Sequence, residues 1–458
     1  MSGFSAEWLA LREPADVAAR SEVVTAAVVV GTGQARAQSA DALIDKLVDK
    51  GILSVQEARD LREETDQDFN KAYAAKSGMS DWVSALKFNG DIRGRFEGFY
   101  GENPAFVDRD RFRYRLRFGV TANLFDDMEL GVRLTSSEAL GSFGGDPISG
   151  NASLADNGAK KFVYFDTVYA KWSPIHTPEW AGAFTIGKME SPFFFPSTMM
   201  FDRDYTPEGF AAQLAYHFSD QHGLKFNGGA FVLDELSASG RDPWLGGAQL
   251  RWDAVWNPHL SSTLGVAGFA IGNDENLVNA NVPNVGRGNT RTALGAPWYN
   301  FNPVYVDGGV TWTLDSFPRY PGPFPINLSG DYAYNPAAPA ANEGYSAGIT
   351  FGRAGKRGTW ELAYRYEHLE ADAWFEEFPE SDFGAFYQTQ QPNAGFTAPG
   401  AGYGSGTNVR GHWVKLSYSP YDSLTLSAAC FFTDLINPSP SGSPSGMTRL
   451  QMDGVWKF

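Results

Sequence analysis

The sequence predicts an all-β, membrane-spanning fold: an antiparallel barrel of about sixteen strands, an even number as in single-chain membrane barrels. Three observations predict it. From residue 87 onward, apolar side chains alternate with polar or small ones, the period of a strand whose two faces meet different surroundings. The connections between these stretches are short and long in turn. No apolar run approaches the ~20 residues that a membrane-crossing helix needs.

The bulk numbers agree. The 458 residues suffice for one large barrel. A net charge of −16 and a pI of about 4.9 argue against nucleic acid as a partner, because phosphate binding needs a basic surface. Mean hydropathy is −0.30, which strands with one polar face produce in a membrane barrel too. The single cysteine, Cys430, allows no internal disulfide and shares an apolar strand face with Leu426 and Phe432.

Residues 1–37 resemble a secretory signal. An apolar run at 23–31 precedes Ala35-Arg36-Ala37, an A-x-A-like cleavage site before Gln38. Glu7, Glu13, Asp16 and Glu22 stand where a basic start is expected, which a translation start further along the chain explains. Residues 38–86 read as a short α-helical periplasmic segment. Leu43, Ile44, Leu47 and Val48 fall at helical spacing, Gly51 ends that helix, and the capping box Ser54-Val55-Gln56-Glu57 opens a second. This segment is expected to form a short helical hairpin or oligomer contact, or a periplasmic plug or cell-wall contact.

Residues 87–458 read as the barrel. Strands are expected near 87–100, 109–124, 128–136, 161–172, 183–188, 209–218, 224–233, 244–256, 261–271, 304–314, 326–335, 343–351, 358–369, 407–418, 424–432 and 449–458. Two are weak. Residues 261–271 alternate poorly, and 408–417 change face near Val414, which predicts a bulge there. The inward set is polar or small almost throughout, as a water-filled interior requires. Connections 125–127, 219–223, 257–259, 353–357 and 419–423 are short, and 173–182 and 315–325 in the same set run longer but are Pro-rich, whereas the intervening set includes the long 137–160, 189–208, 272–303 and 370–406. Short periplasmic turns and long outer loops produce this asymmetry. Trp172, Tyr216, Phe218, Trp256 and Trp312 near strand ends suit the membrane interfaces, and the chain ends in Phe458.

The most informative stretch is a ladder in which Arg111, Arg113, Arg115 and Arg117 alternate with Phe112, Tyr114, Leu116 and Phe118. With Arg93, Arg95 and Arg133, and with Arg251 and Arg365 on other strands, it sets guanidinium groups on one face. Such a wall favours anions unless carboxylates such as Asp91, Glu97 and Glu129 neutralise it. The connection 189–208 carries Asp202, Arg203, Asp204 and Glu208 and the apolar 193–195. The acidic stretch 370–382 reads as a solvated loop, with divalent cation binding as the alternative. Six scattered histidines show no metal spacing, and no nucleophile elbow or phosphate loop appears, so neither an enzyme nor a cofactor is predicted.

The chain resembles the porins of double-membraned bacteria. It is particularly similar to a putative porin family with a short N-terminal helical segment before the barrel. The marks are the strand 92–99, the ladder 109–124 and Asp202-Arg203-Asp204-Tyr205-Thr206-Pro207-Glu208-Gly209. Towards the end follow Ser381-Asp382-Phe383-Gly384 and 404–411, separated here by an apparent insertion at 385–403. The resemblance implies a passive outer-membrane channel for small hydrophilic solutes and ions, embedded in lipid and assembled as a homotrimer. Arg93, Arg95, Arg111, Arg113, Arg115, Arg117 and Arg133 would line the pore. Asp202, Arg203, Asp204 and Glu208 would sit on a loop that constricts it. The alternatives are a channel selective for phosphate or another oxyanion, and a non-conducting structural or adhesive barrel.

Overall fold

The computed structural model describes residues 58, 80, 82–140, 143–278, 281–283, 286–387, 402–438 and 442–458. The signal-like segment 1–37 lies outside them, as do the expected helices of 38–79 except for helical Ala58. Sixteen strands form the barrel. They are β1 (Val83–Gly101), β2 (Arg109–Leu124), β3 (Met128–Ser137), β4 (Phe162–His176), β5 (Trp180–Lys188), β6 (Glu208–Ser219), β7 (His222–Val232) and β8 (Trp244–Asn257). There follow β9 (Leu260–Gly272), β10 (Val304–Leu314), β11 (Phe324–Tyr334), β12 (Glu343–Gly352), β13 (Trp360–Leu369), β14 (Val409–Tyr421), β15 (Leu424–Leu435) and β16 (Met447–Lys457).

Each strand pairs antiparallel with the next, and β16 returns to β1 from Asp91↔Lys457 to Gly101↔Met447. Closure follows from the solvent: lipid offers no partner to N–H or C=O, so the ladder must leave no edge. The terminal Phe458 completes the seam, its N–H donating to Gly90 O at 3.1 Å and its carbonyl accepting from Gly90 N at 3.0 Å. Outward positions are apolar and exposed on strand after strand, among them Ile92, Phe112, Leu130, Ile186, Leu264, Val306 and Leu416. At the short-turn end Trp172, Phe218, Trp256 and Trp312 are exposed, and Trp180 stacks on Tyr216 with centroids 4.4 Å apart.

Three expectations need correction. Residues 83–86 are not the end of a helix: β1 starts at Val83, where pairing with Leu124 and Asn123 extends the sheet. There is no bulge at Val414, because β14 pairs with β13 without a break from Trp360↔Tyr418 to Leu369↔Val409. The irregularity falls at Tyr418/Tyr421, opposite β15, and Arg410 and His412 simply occupy outward positions.

The third correction concerns the interior. At the loop end of β7 to β11, inward positions carry Phe231, Leu245, Ala267, Phe269, Ile271 and Tyr305, all buried. They pack against Phe193, Met199, Met200 and Phe201 of the loop 189–207 and Trp374, Phe375 and Phe378 of the loop after β13. The lumen is therefore not wet along its whole wall. This also explains why β9 alternates poorly: its outward Leu264 and Val266 meet lipid while its inward Ala267, Phe269 and Ile271 meet an apolar plug.

Candidate functional site

The arginine ladder does face inward. In-register pairing sets Arg93 opposite Arg115 and Arg95 opposite Arg113, like charges that repel unless compensated. Closure of the barrel provides that compensation from the last strand. Arg95 forks onto Asp453 of β16 through two bonds of 2.7 Å and reaches Asp382 at 2.9 Å. Arg449 of β16 bridges Glu97 and Asp382, each at 2.7 Å. Arg111 also donates to Glu97. Asp91 accepts from Arg115 at 2.9 Å and Arg117 at 2.8 Å. Arg133 is held between Asp166 and Glu190. Glu129 plays no part and accepts from the Tyr169 hydroxyl instead. Arg93 and Arg113 converge on Asn151, at 2.7 Å and 3.1 Å, and the Nε of each is without a partner.

The loop 189–207 lies inside the barrel. Its Phe194 exchanges two bonds with the amide of Gln249 on β8, at 2.9 and 2.6 Å, and its ring lies 3.5 Å from the Arg251 guanidinium carbon. Ser197 donates to Asp331 of β11, and Arg365 of β13 donates to Pro196 O at 3.1 Å. The loop then crosses to the opposite wall, where Asp204 accepts from Arg115 at 2.9 Å and Arg117 at 3.3 Å. Burial opposes ionisation of Asp204, yet these two arginines hold its carboxyl well below the usual range.

The candidate residues of this loop thus separate. Asp204 ties the loop to the ladder. Asp202 is buried and accepts from the N–H groups of Asp204 and Ser381. Arg203 is exposed, within electrostatic reach of Glu367 on β13 and Lys415 on β14. Glu208 departs from the expected loop position: it opens β6 on the outward face, in step with Phe210, and pairs with Lys188 at 2.9 Å. Strand parity decides this, since Glu208 lies an even number of residues from lipid-facing positions.

The acidic stretch after β13 is not a solvated loop. Asp372 and Glu376 are buried. Glu376 accepts from the N–H groups of Gly286, Arg287 and Asn289 and from Arg291, and Asp372 from Thr290, clasping this loop to 286–291. Its oxygens are occupied by these donors rather than disposed around a cation. The two ends of the insertion pair with each other and with the adjoining residues as a small hairpin, Gly384–Tyr387 with Gly402–Ser405, while 388–401 lie outside the described residues. Sequence reasoning missed Arg449, Asp453, Asp166, Glu190 and Asn151, and it set Asp382 in the acidic stretch without its arginine partners. A signal existed for the first two, which sit two-residue steps apart on the inner face of the last strand.

A closed sixteen-strand barrel with apolar outside, charged lining and an in-folded loop defines an outer-membrane channel of the porin class. The comparisons agree. Residues 102–294 match the model of a putative porin family. The ladder and the Asp202–Gly209 block fall inside the match. No curated protein sequence matches the chain. Among solved structures, OprB of Pseudomonas putida is similar at 11% identity and a TM-score of 0.50, over 81% of this chain and 94% of that one. A loop-deleted OmpT of Vibrio cholerae is 13% identical with a TM-score of 0.44, covering 82% and 99%. A mutant porin of Rh. blastica is 9% identical with a TM-score of 0.41, covering 82% and 100%. The protein is an outer-membrane porin channel.

Proposed function

We propose that this porin passes small hydrophilic solutes by passive diffusion and that Arg203, rather than the ladder, gives it a preference for anions. The single observation that supports this is the contrast in pairing. The ladder arginines are largely matched by carboxylates, so little net field remains at their wall. Arg203 stands exposed on the in-folded loop. An unpaired cation at a constriction raises the local anion concentration, more so at low salt.

Planar-bilayer recording in a salt gradient tests it. The wild-type channel is expected to show a large, weakly anion-selective conductance, and Arg203→Glu a reversal potential shifted towards cations. An unchanged reversal potential removes Arg203 from the role. A saturable anion current would mark an oxyanion-selective channel, and silence a structural or adhesive barrel. The same reading takes 1–37 as an export signal cleaved before Gln38, 38–82 as a periplasmic segment, and three copies as the working unit. Its support is the likeness to porins, and cross-linking in native membranes checks the last point.

A further inference from the structure

Where the loops 189–207 and 370–383 meet inside the barrel, two carboxyl groups stand without a cation. Asp202 belongs to the first loop and Glu380 to the second, and the backbone holds them at one contact. The Asp202 N–H donates to Phe378 O at 2.6 Å and the Glu380 N–H to Thr198 O at 3.1 Å. The Ser381 N–H donates to Asp202 Oδ2 at 2.9 Å. Beside them Trp374 Nε1 donates to Met200 O at 2.8 Å, and Phe201 stacks on Phe378 with centroids 5.2 Å apart.

The neighbouring carboxylates are held differently. Asp204 has Arg115 and Arg117, and Asp382 has Arg95 and Arg449. Burial opposes their ionisation, but these arginines keep both well below the usual range, so both carry charge. Asp202 receives only the N–H groups of Asp204 and Ser381. Glu380 receives the Asp382 N–H at 3.3 Å and the Thr198 hydroxyl. From β13, Glu367 adds a further negative charge facing Glu380. Of the nearby cations, two are engaged elsewhere and the third is solvent-exposed. Arg365 donates to Ser346, Ser329 and Pro196, Lys415 lies 4.0 Å from Glu361, and Arg203 is exposed. On the remaining side Tyr205, a neutral group, packs on Phe378.

We propose that Asp202 and Glu380 form a pH-operated latch: protonated, they keep 370–383 docked on 189–207; ionised, they drive the two loops apart and widen the lumen. Burial, then the charges of Asp382, Glu367 and Asp204, push the Glu380 carboxyl up to about 7. Burial, then Glu380 and Asp204, push Asp202 well above the carboxylate range. A carboxyl whose pKa is raised in the docked arrangement binds its proton more tightly there than when released to water. Docking is therefore fully favoured below the ordinary carboxylate pKa and weakens as the pH rises through about 7.

Hydrogen exchange on the full-length barrel in detergent reads the latch directly. Protection of amides in 374–383, corrected for intrinsic exchange, is expected to fall about tenfold between about pH 6 and about pH 8.5. In Asp202→Asn combined with Glu380→Gln it is expected to stay level. Bilayer conductance should rise over the same interval in the wild type only. Should the double variant fail to assemble, Glu380→Gln alone, at the less buried position, is expected to show a shallower pH dependence than the wild type. Protection that ignores pH in the wild type, or falls equally in the variants, overturns the latch. The electrical consequence alone rests on the channel reading: a silent bilayer with pH-dependent protection intact would overturn that reading and support the latch.

Discussion

The wall made by β1, β2, β3 and β16 and the wall made by β7 to β11 hold opposite ends of the same loop by opposite means. On the first, Arg95, Arg115, Arg117 and Arg449 engage Asp91, Asp204, Asp382 and Asp453 in charge-assisted bonds, most of 2.7–2.9 Å. On the second, Phe231, Leu245, Phe269 and Tyr305 receive Phe193, Met199 and Phe201 as an ordinary apolar core would. Each device has its own weakness. A buried ion pair contributes little net stability but is expensive to break, since the surviving charge stays buried and alone. An apolar contact loses only the area and volume removed. The charged wall is therefore brittle and position-specific, and the apolar wall is strong but forgiving.

The largest test of this contrast is to reverse the ladder. Arg113→Glu with Arg115→Glu would set two carboxylates beside Glu97, Asp91 and Asp204. Destabilisation is expected to exceed about 5 kcal/mol, seen as loss of heat-modifiable folded barrel on gels. A folded, merely cation-selective channel would show that the wall is not the brittle one. Next comes Trp374→Ala in the plug, where a buried ring that also donates to Met200 O is lost. A cost of about 3–5 kcal/mol in denaturant unfolding is expected, with the barrel still assembled and a larger conductance. An unchanged conductance would detach the plug from the pore.

The smallest expected effect is at Asp307 on β10, only 2% exposed, with neither carboxylate oxygen partnered. It faces Asp331 in register across to β11. Asp307→Asn relieves repulsion by Asp331 and Asp253, which Arg251 opposes. A gain of about 1 kcal/mol in chemical unfolding is expected. A loss instead would mean that Asp307 is compensated, as the carboxylates of the other wall are.

Much of this was legible before any coordinates. The sixteen strands follow from a period of two, because a strand between lipid and an interior must alternate, and the loop lengths follow from which end faces outward. Reading stopped where the interior ceased to be uniform. Phe269 and Ile271 on β9 resemble noise in an alternating pattern, since nothing local distinguishes a lipid-facing side chain from one facing a plug. Glu208 lies in the same acidic block as Asp204, but one is outside the barrel wall and the other inside.

Sequence alone determined the sixteen barrel strands, the lipid-facing side of most of them and the inward direction of the arginine ladder, all properties of residues within one strand's length of each other. Only tertiary structure decided which charges are spent on one another and which remain available. Arg95 and Asp453 are 358 residues apart and meet because the sheet closes. Asp204 reaches Arg115 because its loop folds inward. Pairing depends on distance in space, and a closed barrel brings its first and last strands together in a way no local pattern records.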